Sequence, residues 1–250
     1  MENIKIIIYS FIQGITEFLP VSSSAHLYII QDIFKWNDDM LVLALGAHLG
    51  TLLAVLFHNR KLFFSLKINP TLILAAIAST PVIIIGGVIG FLGLNLYSSN
   101  LFIIALACII GGILLYISDN KKKANRSEVI TIKESIIIGL FQILALIPGM
   151  SRSGCIITAM RFLGLNRLVS IKFSLLTGIP VLLAASSFGF YKVLIDNSIS
   201  ITKLFLVISI AFATAMISIQ FLLKWVKKFS FKIFSIYRIL LGILILIYLS

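Results

Sequence analysis

The chain has 250 residues, of which 60% are hydrophobic and only 12% charged, against about 45–50% and about 25% in soluble domains. That excludes a water-soluble globular fold and makes lipid the solvent. Twenty-one basic against nine acidic residues give a formal charge of +12, yet the cations stand in short clusters between long apolar runs, which is membrane topology; no nucleic-acid partner is expected. Cys108 and Cys155 lie inside apolar stretches with no CxxC or Cys/His spacing, so they are packing residues rather than a disulfide or zinc pair.

In chain order, the first apolar stretch, Ile4–Ile30, is broken in its middle by Pro20 and consecutive serines. Lys5, Ile6–Ile12 and Ser23-Ser24-Ala25 also outline a signal peptide, but Glu17 and Pro20 interrupt it. Runs of membrane-spanning length follow at Leu41–Phe57, Thr71–Leu94 and Leu101–Ser118. A basic segment, 119–128, precedes a second broken stretch, Ser135–Met160, and then come the runs Phe173–Tyr191, Lys203–Leu223 and Ile233–Leu249. The expected fold is an all-α integral membrane protein, a single membrane domain over 1–250, with about six transmembrane helices and two broken, re-entrant hairpins. Irregular backbone at membrane depth is tolerated only where protein or a wet cavity satisfies it.

The basic clusters Arg60/Lys61/Lys67, Lys121/Lys122/Lys123/Arg126/Lys133, Arg161/Arg167/Lys172 and Lys224/Lys227/Lys228/Lys232 mark cytoplasmic connections. Asn95–Asn100 and Ile195–Ser200 lack Lys and Arg, and Gln31–Met40 sets Asp32, Asp38 and Asp39 against Lys35, so these face outward. The first broken stretch then enters from outside and the second from inside. Phe18-Leu19-Pro20-Val21-Ser22-Ser23 also lines up with Leu146-Ile147-Pro148-Gly149-Met150-Ser151. Antiparallel likeness is the mark of an inverted repeat whose discontinuous helices build a site near the midplane. The repeats are expected at about 1–118 and 129–250, joined by the basic loop 119–128.

Of the acidic residues, Glu17 alone stands deep in an apolar stretch, and an intramembrane carboxylate is a functional candidate by default. A structural pairing with a buried donor is the plainer reading. Gln13, four residues earlier, shares its helical face and can join a cation site or hydrogen-bond network. Pro20-Val21-Ser22-Ser23-Ser24 reads as a helix restart with exposed N–H groups suited to an anion. His26 follows Ser23 by three residues, within reach of a shared phosphate; His48, alone on an apolar face, reads as a core residue. In Pro148-Gly149-Met150-Ser151-Arg152-Ser153-Gly154, Gly149 permits a tight turn, Ser151 or Ser153 can cap a helix, and Arg152 offers a planar fork for phosphate. Arg152 could also simply obey the positive-inside rule, but its flanking hydroxyls argue for an anion site.

Gln13 to Leu27, QGITEFLPVSSSAHL, and Pro148 to Ser153, PGMSRS, closely resemble the two signature motifs of the bacterial undecaprenyl-pyrophosphate phosphatase family, also called the bacitracin-resistance protein family. Motif order, separation, length and hydropathy agree over essentially the whole chain. The resemblance implies an enzyme of the bacterial inner membrane that hydrolyses undecaprenyl diphosphate to undecaprenyl phosphate and inorganic phosphate, recycling the carrier lipid for cell-wall synthesis and conferring bacitracin resistance. It further implies a commonly dimeric protein, a site opening to the periplasmic side, and a divalent cation, Mg2+ or Ca2+. By motif position Glu17, Ser23, His26 and Arg152 take the catalytic roles, with Ser22, Ser24, Gly149, Ser151, Arg152 and Ser153 around the phosphate and Glu17 and Gln13 toward the cation.

Two positions depart from the family pattern. Many members carry Glu where this chain has Gln13, and a Thr where it has Ile156. The expected mechanism has Arg152 and the helix N-termini holding the terminal phosphate, Glu17 helping to bind the cation, His26 as general base or acid, and Ser23 as nucleophile or phosphate ligand. A different class, a polyprenyl-phosphate carrier or flippase, would use the same phosphate site without needing Ser23 and His26 beside Glu17. A purely structural membrane protein leaves Glu17 and Arg152 unexplained.

Overall fold

The computed structural model describes residues 2–36, 40–63, 69–93, 100–120, 130–196 and 201–249. Within them every regular element of four or more residues is a helix. The first half forms α1 (Glu2–Thr16), α2 (Ser23–Ile33), α3 (Met40–His58), a single turn α4 (Arg60–Phe63), α5 (Pro70–Phe91) and α6 (Leu101–Asp119). The second forms α7 (Ile132–Gln142), a 3-10 turn (Ile143–Leu146), α8 (Arg152–Phe162), α9 (Arg167–Asp196), α10 (Ile201–Trp225) and α11 (Lys232–Leu249).

Helices α5, α6, α9, α10 and α11 are long and apolar enough to cross a membrane. The span expected at Leu41–Phe57 is matched by a shorter apolar helix, Val42–His58. The expected connections at 121–129, 95–99 and 197–200, most of the basic segment among them, lie outside the described residues, as do Asp38, Asp39 and Lys67.

Both broken stretches break where the sequence changes character. After Thr16 the chain turns through Glu17–Val21, and Ser22, at φ 73°, caps α2 by accepting from the Ala25 N–H. In the second half, Ser151, at φ 64°, caps α8 by accepting from the Gly154 N–H at 3.1 Å. A non-glycine residue held in the left-handed region is uncommon, and here both lie at the start of a helix whose N–H groups open inward.

The two halves interlock reciprocally. α1 packs on α10 as α7 packs on α5, α3 packs on α10 as α9 packs on α5, and α3 against α9 and α6 against α11 close the bundle. The two breaks touch at their tips: the Gly149 N–H donates to Ser24 Oγ (3.3 Å) and Ser153 Oγ donates to the Leu19 carbonyl (2.9 Å). Gly149 is required there, since its φ is 99° and a Cβ would stand 2.6 Å from the Ile104 carbonyl oxygen. The main core, around Phe18, Ile156, Met160, Phe173 and Phe231, lies below these tips, and large apolar side chains such as Ile84, Phe205 and Leu244 face outward. Such an apolar exterior suits lipid, not water.

Candidate functional site

Glu17 is the centre of the polar cluster. It follows directly on α1, its N–H still bonded to the Gln13 carbonyl, and its carboxylate is buried. One oxygen, Oε1, accepts from Arg152 Nη2 at 3.0 Å; the other, Oε2, accepts from Gln13 Nε2 at 2.8 Å and from the Ser23 hydroxyl at 3.1 Å. The residues expected to meet from opposite breaks do meet, joined through one carboxylate.

Arg152 is the first residue of α8, and α9 fixes its fork. Nη1 donates to the Ser174 carbonyl at 3.3 Å, and Gly178 gives the guanidinium room, because a Cβ there would lie 2.7 Å from Nη1. Its Nε is buried with no partner among the described residues, so one donor is left for a further acceptor.

These groups line a cavity of about 190 Å³. Its polar wall is Glu17, Ser23, Ser24, His48, Ser151 and Arg152; its apolar wall comes from Val82, Ala145, Leu146, Val181, Leu182 and Ala185. An anion placed there would meet one guanidinium, three hydroxyls and the N-terminal ends of α2 and α8, the set that stabilises phosphoryl transfer.

His48 corrects the sequence reading. Taken as a core residue, it instead stands on the cavity wall, with Nδ1 3.4 Å from Gln13 Nε2. That amide nitrogen can only donate, so Nδ1 accepts and the imidazole proton sits on Nε2. Gln13 spends its two N–H groups on Glu17 and His48, which links carboxylate and imidazole through one amide.

His26 is placed differently from the expectation that it shares a phosphate with Ser23. Its Nδ1 lies 2.7 Å from the Ser22 carbonyl oxygen, its Nε2 lies 2.6 Å from the Tyr237 hydroxyl, and the two rings stack with centroids 5.7 Å apart. It lines a second cavity, with Ile15, Leu19, Trp225 and Tyr237, that shares no residue with the first. Residues three apart on a helix diverge by about 60°, enough for Ser23 and His26 to face different cavities.

Among the expected phosphate ligands, Ser24 and Ser151 stand on the wall, whereas Ser22 and Ser153 are buried in capping and tip contacts and Gly149 shapes the turn. Ile156 lies in the core, and Thr158 lies beside Arg238, away from this cavity.

Two ionisable residues went unnoticed in sequence. Arg238, inside the last apolar run, is buried and donates from Nη2 to the Gly149 (3.1 Å) and Met150 (2.8 Å) carbonyls, holding the turn that presents Ser151 and Arg152. The rule that picked out Glu17, a lone charge in an apolar run, would have found it. Asp119 reads as a helix-end residue and is in fact buried between Arg161 and Arg167.

The description "Bacitracin resistance protein BacA" belongs to a family profile that matches residues 6–244. The chain belongs to the BacA family. Among its relatives, the undecaprenyl-diphosphatase of Pelagibacter ubique (strain HTCC1062) is 44% identical over 248 residues, covering 98% of this chain and 96% of that protein. That of Campylobacter curvus (strain 525.92) is 36% identical, covering 98% of each. That of Enterococcus faecalis is 31% identical, covering 99% of this chain and 97% of the relative. Both breaks of this BacA protein, and the cavity between them, fall inside the matched span.

Proposed function

We propose that the chain is an undecaprenyl-diphosphatase that cleaves the terminal phosphate from undecaprenyl diphosphate in the cavity between the two breaks. The observation that carries this is the Ser23 hydroxyl donating to Glu17 Oε2 while Arg152 holds Oε1. A phosphate binder has no need of a hydroxyl set against a buried carboxylate; a nucleophile does.

In the proposed reaction the terminal phosphate docks against Arg152 and the opening turns of α2 and α8. Ser23 Oγ attacks its phosphorus, the hydroxyl proton passes to Glu17, and the anhydride P–O bond breaks to release undecaprenyl phosphate. Water then cleaves the phosphoserine to give inorganic phosphate. His48, on the same cavity wall and with its proton on Nε2, supplies a donor for the phosphate oxygens. The carrier reading is not favoured by the named relatives, all undecaprenyl-diphosphatases.

For the divalent cation, Mg2+ or Ca2+, the donor set fits an ion that arrives with the diphosphate. Among the described residues, Glu17 is the only carboxylate on the cavity wall, and there is no cluster of three or more His, Cys, Asp or Glu side chains. Mg2+ is commonly bound by one or two carboxylates plus substrate phosphates. Glu17 and Gln13 would hold it, and it would neutralise charge on the diphosphate oxygens.

The membrane placement proposed is the bacterial plasma membrane, with the site opening outward and the protein forming a homodimer as the family resemblance implies. Orientation is supported by Asp119, which bonds Arg161, Arg167 and the Phe231 N–H and so brings three connections rich in Lys and Arg to one end of the bundle. At the other end of α11 from Asp119, the Tyr248 hydroxyl donates to Asp32, in the last turn of α2, at 3.1 Å.

The test is to stop the reaction of purified protein with undecaprenyl diphosphate during turnover and map phosphate by mass spectrometry. Phosphate on Ser23, absent from Ser23→Ala, is expected. Turnover by a folded Ser23→Ala protein at the wild-type rate would refute the nucleophile.

A further inference from the structure

We infer that the groove between α5 and α9 is the binding site for the diphosphate-proximal part of the polyprenyl tail; this rests on the phosphatase reading above. The groove has a volume of about 310 Å³ and adjoins the phosphate cavity directly, sharing Val82, Leu146, Val181 and Ala185 as common walls. The side chains along it are apolar, and the polar groups stop at the cavity end. A headgroup on Arg152 would therefore place the first isoprenyl unit between α5 and α9 without passing any charged residue.

Two glycines open the space. Gly86 approaches Leu146 closely, a Cβ there falling 3.2 Å from Leu146 Cδ2, whereas a Cβ at Gly87 would meet no protein atom within 4 Å. Ser79, one turn from Val82, donates to the Thr177 carbonyl at 3.0 Å and fixes the spacing of the two helices next to the shared wall. At the far end Phe188 closes against Gly90, where a Cβ would lie 3.0 Å from the ring. The groove holds the start of the tail, and the remainder runs into lipid along the outward faces of Ile84, Val88 and Leu183.

The second apolar cavity, of about 300 Å³ between α1, α10 and α11, is similar in size. It shares no wall with the phosphate cavity, and His26 Nε2 and the Tyr237 hydroxyl bond each other there. A tail seated in it would have no continuous path to Arg152. Contiguity, not volume, selects the α5–α9 groove.

Two measurements on the full-length protein test this. Gly87→Leu should fill the groove from a position free of clashes and, as a glycine replacement within a helix, should not weaken α5. Its KM for undecaprenyl diphosphate should rise about tenfold with kcat changed by less than about twofold, a loss of about 1.4 kcal/mol of binding, while Phe205→Leu, on the outward face of α10 and away from the groove, should match wild type. Independently, undecaprenyl diphosphate bearing a diazirine on its first isoprenyl unit should crosslink to peptides containing Ile83–Gly87 or Val181–Phe188. Label confined to peptides of α1, α10 and α11, or an unchanged KM in Gly87→Leu, would overturn the assignment. Failure of wild-type protein to release phosphate would refute the phosphatase reading instead, and the crosslink would still report where the tail sits.

Discussion

Two buried carboxylates of this protein each hold arginine, and only one of them stands at a site. Asp119 accepts from Arg161 Nε at 3.0 Å and Arg167 Nε at 2.8 Å on one oxygen and from the Phe231 N–H at 2.8 Å on the other. Its backbone carbonyl takes Arg161 Nη2, and Arg161 Nη1 turns to the Leu165 carbonyl. That cluster ties α6, the α8–α9 turn and the start of α11 together and borders neither of the two larger cavities nor the phosphate cavity. Glu17 also holds an arginine, but its remaining bonds go to a hydroxyl and to an amide that reaches an imidazole, and all but the amide line one cavity. A buried ion pair is weak evidence of either stability or function; what distinguishes Glu17 is that its partners carry chemistry and face open space.

The sharpest break of that comparison is removal of the reactive pair. Glu17→Ala and Arg152→Ala should each lower kcat/KM for undecaprenyl diphosphate by about a thousandfold, measured as phosphate release, with the proteins still eluting as folded species. Next comes His48→Ala, which should lower kcat about a hundredfold, whereas His26→Ala, facing the other cavity, should cost far less. Equal losses from the two histidines would undo the placement of His48 in the reaction. Arg238→Met leaves the Gly149 and Met150 carbonyls with only the weak thiol donors Cys108 and Cys155 and should reduce kcat about tenfold by loosening the turn that presents Arg152. At the small end for turnover, Arg167→Ala should leave activity within about twofold while lowering the melting temperature, since it removes one of two arginines from a structural carboxylate.

The sequence revealed the architecture and the principal pair because their signals are local. Apolar runs of membrane length, Pro and Ser interruptions, and a lone carboxylate in a lipid-compatible stretch need no knowledge of the fold. Glu17, Ser23 and Arg152 were legible in this way, and the structure puts them in hydrogen-bonded contact. The structure places His48 and His26 otherwise than the sequence suggests because which cavity a helical side chain meets depends on the partners of its helix. α3 turns His48 toward Gln13 of α1, while the Ser22 carbonyl and Tyr237 of α11 draw His26 away. The tip contacts that occupy Ser153 and Gly149 join residues more than a hundred positions apart and leave no local trace. Arg238 was legible by the same rule as Glu17.

The most direct test sets the two clusters side by side: phosphate release from undecaprenyl diphosphate by purified wild type, Arg152→Ala and Arg167→Ala, with and without a chelator. The account predicts cation-dependent release by wild type and Arg167→Ala and none above background from a folded Arg152→Ala protein. Release by Arg152→Ala at the wild-type rate would contradict it.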